Sequence, residues 1–249
     1  MLPADHIDAL RRDAAGLVAA VRRGTAPAVP GCPGWTVADL ARHIGSVQRW
    51  AADHVASRPE RGTMPFPPEQ PSDDGLADWL ADGADALVAT LAKADSTDNC
   101  WTFSDRNRTV SFWHRRQANE ASVHRWDAES AHDGVDGAPP IDATIAADGV
   151  DEFLGTFVRR IRSRTPEVAA GAGETFHFHR TDGPGEWFLA FPPDGDLVVT
   201  TEHAKGDVAV RAAASDMVLW LWRRVPDSRL DVAGDASRLD RWRELVPAT

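Results

Sequence analysis

The spacing of apolar residues changes character once along the chain, at the turn-rich stretch HDGVDGAPP (132–140), and no other feature limits the fold as much. Upstream, apolar side chains recur at helical spacing. Residues 5–23 place Ile7, Leu10, Leu17, Val18 and Val21 on one stripe. TVADLARHIGSVQRWAADHVA (36–56) carries Leu40, Ile44, Val47 and Ala51 on another, and opens with Thr36 and Asp39 in capping-box spacing. Further helices are predicted over 74–94, with Leu76, Trp79, Leu80, Leu87 and Leu91, and over 109–132. Downstream, one more helix is predicted over 142–163, and then the period falls to two in TFHFHR, EWFLAF, DLVVTT and DVAVRA, an antiparallel-sheet pattern. Two helices, SDMVLWLWRRV and ASRLDRWREL, close the chain. Helices followed by mixed elements predict an α+β protein of two domains, residues 1–136 and 137–249.

Charge and composition exclude several functions. The formal net charge is −11, from 27 Lys and Arg against 38 Asp and Glu. An acidic surface repels phosphate backbones, so no nucleic-acid partner is expected. No apolar run reaches the roughly 18 residues a membrane helix needs. The opening MLPADHIDALRRDAAG lacks a signal-peptide apolar core. A cytoplasmic protein away from membranes is therefore expected, as a monomer or homodimer. Cys32 and Cys100 lie outside any C-x-x-C and are expected as small, unpaired, buried or half-buried residues. The Pro-rich connection RPERGTMPFPPEQPSDD (58–74) is long for a bundle loop, which makes it a candidate functional segment.

The segment ANEASVHRWDAE (118–129) holds the most informative side chains. At about 100° per residue, Glu120 and His124 fall within about 20° of Trp113, on the face that Ala128 and Ala131 also occupy. Arg115, Asn119, Ser122, Arg125 and Glu129 fall opposite and are expected to face solvent. An inward carboxylate needs a cation, donors or a metal. His43 flanks the apolar stripe of the second helix and can reach the same interior. Two histidines and one glutamate form a three-ligand zinc set with its fourth position open, the pattern of a catalytic rather than a structural site. The plain alternative is a Glu120–His124 hydrogen bond beside a core histidine. Asp127 is either an acceptor that orients a ligand histidine or a surface acid. His177 and His179 alternate along one strand and are expected as ordinary strand-face residues, because the spacing offers no third ligand.

PGWTVADLARHIGSVQRW (33–50) and RRQANEASVHRWDAE (115–129) resemble the N-terminal domain of the mycothiol-dependent maleylpyruvate isomerase family, and VAVRAAASDMVLWLWRRVPDSRLDVAGDASRLDRW (208–242) resembles its C-terminal domain. The resemblance implies a DinB-like four-helix bundle followed by a sterol-carrier-like α+β domain, with a further strand before Gly234 and Asp235. It implies that His43, Glu120 and His124 bind a divalent metal, expected to be zinc, and that the thiol cosubstrate is mycothiol. It also implies that an arginine of the second domain serves catalysis, with Arg211, Arg223 and Arg224 as candidates. Two departures from the family pattern stand out. Asn119 replaces the histidine that often precedes the ligand glutamate, and Arg223–Arg224 replaces Gly-Arg.

The expected chemistry is thiol addition. A metal-bound thiol is held as thiolate, which can add to an activated double bond. Rotation and expulsion give cis–trans isomerisation; retention gives S-transfer. Two other classes fit the same residues. One is a metal-dependent hydrolase with water in the open position. The other is a non-catalytic small-ligand-binding protein with VLWLWRR as a pocket wall.

Overall fold

The computed structural model describes residues 1–62, 70–104, 106–165 and 167–248. The chain forms two compact units, Met1–Ile141 and Asp142–Thr249. The architecture is α+β, as the change of apolar spacing implies. Part of the connection at 58–74 lies outside the described residues. Among the described residues, no helix is long and apolar enough to cross a membrane.

The first unit contains four long helices, α1 (Pro3–Arg23), α2 (Val37–Ser57), α3 (Leu76–Lys93) and α4 (Val110–Asp133). The capping box predicted for α2 is present. Asp39 N–H donates to Thr36 Oγ1 at 3.3 Å, and Thr36 N–H donates to Asp39 Oδ2 at 2.9 Å. Leu17, Val21, Leu40, Ile44, Leu76, Leu80 and Ala128 bury into one core cluster. At the other end, Trp50, Trp101 and Trp113 surround His54 at ring-centroid distances of 4.8, 5.0 and 5.8 Å. α3 approaches α2 closely at Gly45, where a Cβ would come within 2.1 Å of the Trp79 ring. Arg49 closes that contact. Its guanidinium lies 4.1 Å from the Trp79 ring centroid and donates to the Trp79 carbonyl at 2.7 Å.

α4 departs from expectation. The side of α4 carrying Asn119, Ser122 and Arg125 does not face solvent; all three residues are buried. The reason is that α4 packs against α1 as well as α2, so it has two inward faces rather than one. The face toward α1 is polar because it has a polar partner. Asp13 of α1 is 2% exposed. It accepts from Ser122 Oγ at 2.7 Å and from Arg125 Nε at 3.1 Å. Arg125 also donates to Glu129 and to the Pro140 carbonyl.

The second unit contains α5 (Ala143–Glu152), α6 (Val158–Arg164), β1 (Glu174–Arg180), β2 (Glu186–Phe191), β3 (Val198–Thr200), β4 (Val208–Ala212), α7 (Ala214–Leu221), β5 (Asp231–Gly234) and α8 (Arg238–Leu245). The helix predicted over 142–163 is interrupted by a π-helical turn, Phe153–Phe157. Gly155 and Thr156 hold α geometry weakly, and the wider turn sets Phe153 and Phe157 edge-on to Trp222 at 4.7 and 4.9 Å. The sheet order is β3-β2-β1-β4-β5. The predicted antiparallel pattern holds for three pairings, but β1 and β4 run parallel. The connection at 201–207 causes this, since it carries the chain past β2 and β1 before β4 begins. Period-2 spacing identifies strands and leaves their partners open. One face of the sheet is the core: Phe176, Phe178 and Phe191 surround Trp242 at 5.2, 5.2 and 6.1 Å.

The Asp13 cluster sets a stability prediction. Asp13→Ala leaves Arg125 buried with one carboxylate fewer and should cost about 2–3 kcal/mol. Urea unfolding of the two proteins measures it, and a loss under about 0.5 kcal/mol would show that the cluster contributes little.

Candidate metal centre

The N-terminal unit brings His43, Glu120 and His124 together, with one donor atom from each lying within 4.8 Å of the others. α2 presents His43, and one turn of α4 presents Glu120 and His124 one above the other. His43 Nε2 lies 3.6 Å from Glu120 Oε1, and His124 Nε2 lies 3.5 Å from the same oxygen. The two imidazole rings meet edge-on at 5.6 Å, and Trp35 stands edge-on to His43 at 5.1 Å. Exposure falls across the cluster from His43 at 32% through Glu120 at 21% to His124 at 12%, so it is approachable from the His43 side.

Two buried residues hold these side chains in place. Asp127 is fully buried, and its Oδ2 accepts from His124 Nδ1 at 2.9 Å. This settles Asp127 as an orienting acceptor and turns Nε2 toward Glu120 and His43. Arg116, 4% exposed, donates to Glu120 Oε2 at 2.8 Å. Sequence inspection passed over Arg116, although its i,i+4 spacing to Glu120 was available as a signal. Cys32 also reaches the site: its thiol lies half-buried, 3.6 Å from Asp127 Oδ2.

Electrostatics favour a charged cluster. Burial opposes ionisation of Glu120, but Arg116 and then the hydrogen bonds from His124 and His43 outweigh it and hold the carboxyl well below its usual range. Burial likewise opposes protonation of His124. Hydrogen bonds to Asp127 and Glu120 overcome it and raise the pKa to about 9. The donor set fits a divalent metal. Two imidazole nitrogens and a carboxylate oxygen are zinc-type ligands, and bonds of about 2.0–2.1 Å would place tetrahedral donors about 3.3 Å apart, close to the separations seen.

The other candidates lie in the second unit, each with a partner of its own. Arg211 pairs with Asp231 at 3.2 Å, with half of its side chain exposed. Arg223 donates to the Val246 carbonyl at 2.8 Å from a left-handed backbone position, φ 65°. Burial, its largest influence, lowers its pKa to about 10, so it stays charged at neutral pH. Arg224 donates to the Trp222 carbonyl at 2.7 Å. His177 and His179 are not simple strand-face residues, because Glu186 and His203 join them.

Comparison with known proteins adds a family and a fold. Residues 7–129 match the family model described as the mycothiol maleylpyruvate isomerase N-terminal domain, and residues 144–241 match that of the C-terminal domain. The chain is similar to the crystal structure of a mycothiol-dependent maleylpyruvate isomerase, with a TM-score of 0.66, 13% identity and 95% of each chain covered. A histidine-to-alanine mutant of that enzyme gives 0.65 and 11% over the same coverage. Identity this low speaks to the fold alone. No curated protein matches by sequence.

Protonation of His124 would make metal binding at this cluster pH-dependent. Below a pKa of about 9 a metal must displace a proton from this imidazole. Apparent zinc affinity should therefore rise about tenfold per pH unit from neutrality up to about 9 and level off above it. Competition with a chelating dye at several pH values measures this; a flat profile would mean that His124 is not displaced.

Proposed function

The chain belongs to the mycothiol maleylpyruvate isomerase family, and on that premise we propose that it is a metal-dependent enzyme that uses mycothiol to isomerise a small maleylpyruvate-type substrate. One observation carries the metal half of this reading: His43 Nε2, Glu120 Oε1 and His124 Nε2 converge, with Asp127 behind His124 and Arg116 behind Glu120. A divalent ion held by these three residues would keep the mycothiol sulfur as thiolate at neutral pH.

The chain's own groups prepare that site. Asp127 fixes the His124 ring, so the ligand nitrogen needs no reorientation. Arg116 compensates the buried Glu120 charge through one carboxylate oxygen and leaves the other directed at the histidines. Trp35 packs on the His43 ring at the more exposed side, where it limits the rotation of that ring. Addition of the thiolate to the substrate double bond, rotation and expulsion complete the isomerisation; retention of the adduct would give S-transfer. A substrate carboxylate calls for a guanidinium clamp. Arg223 is committed to the Val246 carbonyl, whereas the exposed Arg211–Asp231 pair is weak and easily surrendered. Arg224 is likewise committed, to the Trp222 carbonyl, which leaves Arg211 the better candidate.

Zinc-loaded protein with mycothiol should show zinc–sulfur coordination by X-ray absorption, and maleylpyruvate isomerisation should stop without the thiol. His124→Ala should reduce turnover to background, and Asp127→Asn should reduce it about ten- to a hundredfold. Turnover independent of mycothiol would replace this reading with metal-dependent hydrolysis.

A further inference from the structure

The face of the sheet that looks away from Trp242 carries a second donor cluster. Phe176 and Phe178 of β1 turn toward the core, so alternation turns His177 and His179 to the opposite face. The antiparallel register of β1 and β2 sets Glu186 directly across from His179, on that same face. His203 arrives from the connection between β3 and β4 and lies against Glu186 Oε2 at 2.6 Å. His177 Nε2 lies 3.5 Å from the same oxygen, and the rings of His177 and His203 meet edge-on at 5.1 Å. One donor atom each from His177, Glu186 and His203 falls within 4.8 Å of the others.

We propose that His177, Glu186 and His203 form a second divalent-cation site, of zinc type, independent of the cluster in the first unit.

Three observations point to a ligand rather than a set of strand-face side chains. His177 is only 6% exposed, and its Nε2 makes no hydrogen bond although it is directed at the cluster. A buried ring nitrogen that faces a carboxylate oxygen at 3.5 Å without a well-formed hydrogen bond is unusual and needs a reason. His179 Nδ1 bonds Glu186 Oε1 at 3.0 Å and so turns Oε2 toward His177 and His203, as an outer hydrogen bond orients a ligand carboxylate. The connection bearing His203 is clamped beside β1. Asp207 N–H donates to the Thr175 carbonyl at 3.1 Å and Thr175 N–H donates to Asp207 Oδ2 at 2.8 Å. Gly206 allows this approach, since a Cβ there would come within 2.9 Å of His177 N. Two imidazoles and one carboxylate match zinc and its borderline neighbours better than magnesium or calcium, which prefer oxygen ligands alone.

Metal content tests the proposal without reference to activity. Full-length protein is stripped with chelator, reloaded with zinc and dialysed, and zinc per chain is compared between wild type, His203→Ala, Glu186→Gln and His124→Ala. His203 is mostly exposed, so its replacement should leave folding intact, which an unchanged melting midpoint in chelator confirms. His203→Ala and Glu186→Gln should each lose one equivalent relative to wild type. The double variant with His124→Ala should lose both. Equal zinc in wild type and His203→Ala overturns the proposal, whatever His124→Ala shows. Loss in His124→Ala alone leaves the first site standing and removes the second.

Discussion

α4 is surrounded, and most of what the N-terminal unit does follows from that constraint. A helix packed against two neighbours has little surface left for its charges, yet this one carries Arg116, Glu120, Arg125 and Asp127 at buried or largely buried positions. Each must be matched inside the protein, because an unpaired buried charge costs several kcal/mol even after relaxation, on the order of 3–5 when a partner is removed. The matching is divided by face. Toward α1, Asp13 receives Ser122 and Arg125. On the other side, Arg116 donates to Glu120, and Asp127 accepts from His124. The first set holds helices together. The second holds donor atoms in a fixed relation to His43, so one packing requirement yields both a fold and a candidate site.

The C-terminal unit separates its chemistry by strand alternation. One face of the sheet is filled by aromatic rings around Trp242, and the other presents imidazole and carboxylate groups. A strand reverses side-chain direction at every residue, so the sequence FHFH (176–179) feeds both faces at once. Rigidity is thereby provided directly behind the polar cluster, because Phe176 and Phe178 anchor the backbone that carries His177 and His179.

Much of this was legible in residue spacing, and what was not has identifiable causes. The four long helices, the strands β1 to β4 and the two closing helices follow from periodicity and turn residues. β5 is only four residues long and was reachable through family resemblance alone. The parallel β1–β4 pairing was hidden because alternation does not name a partner. Asn119 was assigned to solvent because a wheel with one inward face cannot represent a helix packed on two sides. Glu120 and His124 could be placed together from spacing, whereas adding His43 required the second helix to be turned as well. Of the second histidine cluster only His177 and His179 were visible, as an alternating pair lacking a third ligand: His203 sits in an irregular connection, where no period tells which way a side chain points.

The Gly45 contact with Trp79 bears on the first cluster from the far side of α2. Gly45 is two residues beyond His43, and the indole occupies the space its side chain would need. The rotational setting of α2 about its axis is thus referenced to α3, and the same setting aims the His43 ring. A methyl group at position 45 would act as a wedge. It would be felt first as misalignment between donor atoms on two helices and only afterwards as lost packing. The alignment of the cluster therefore has its narrowest tolerance at a residue with no functional group at all.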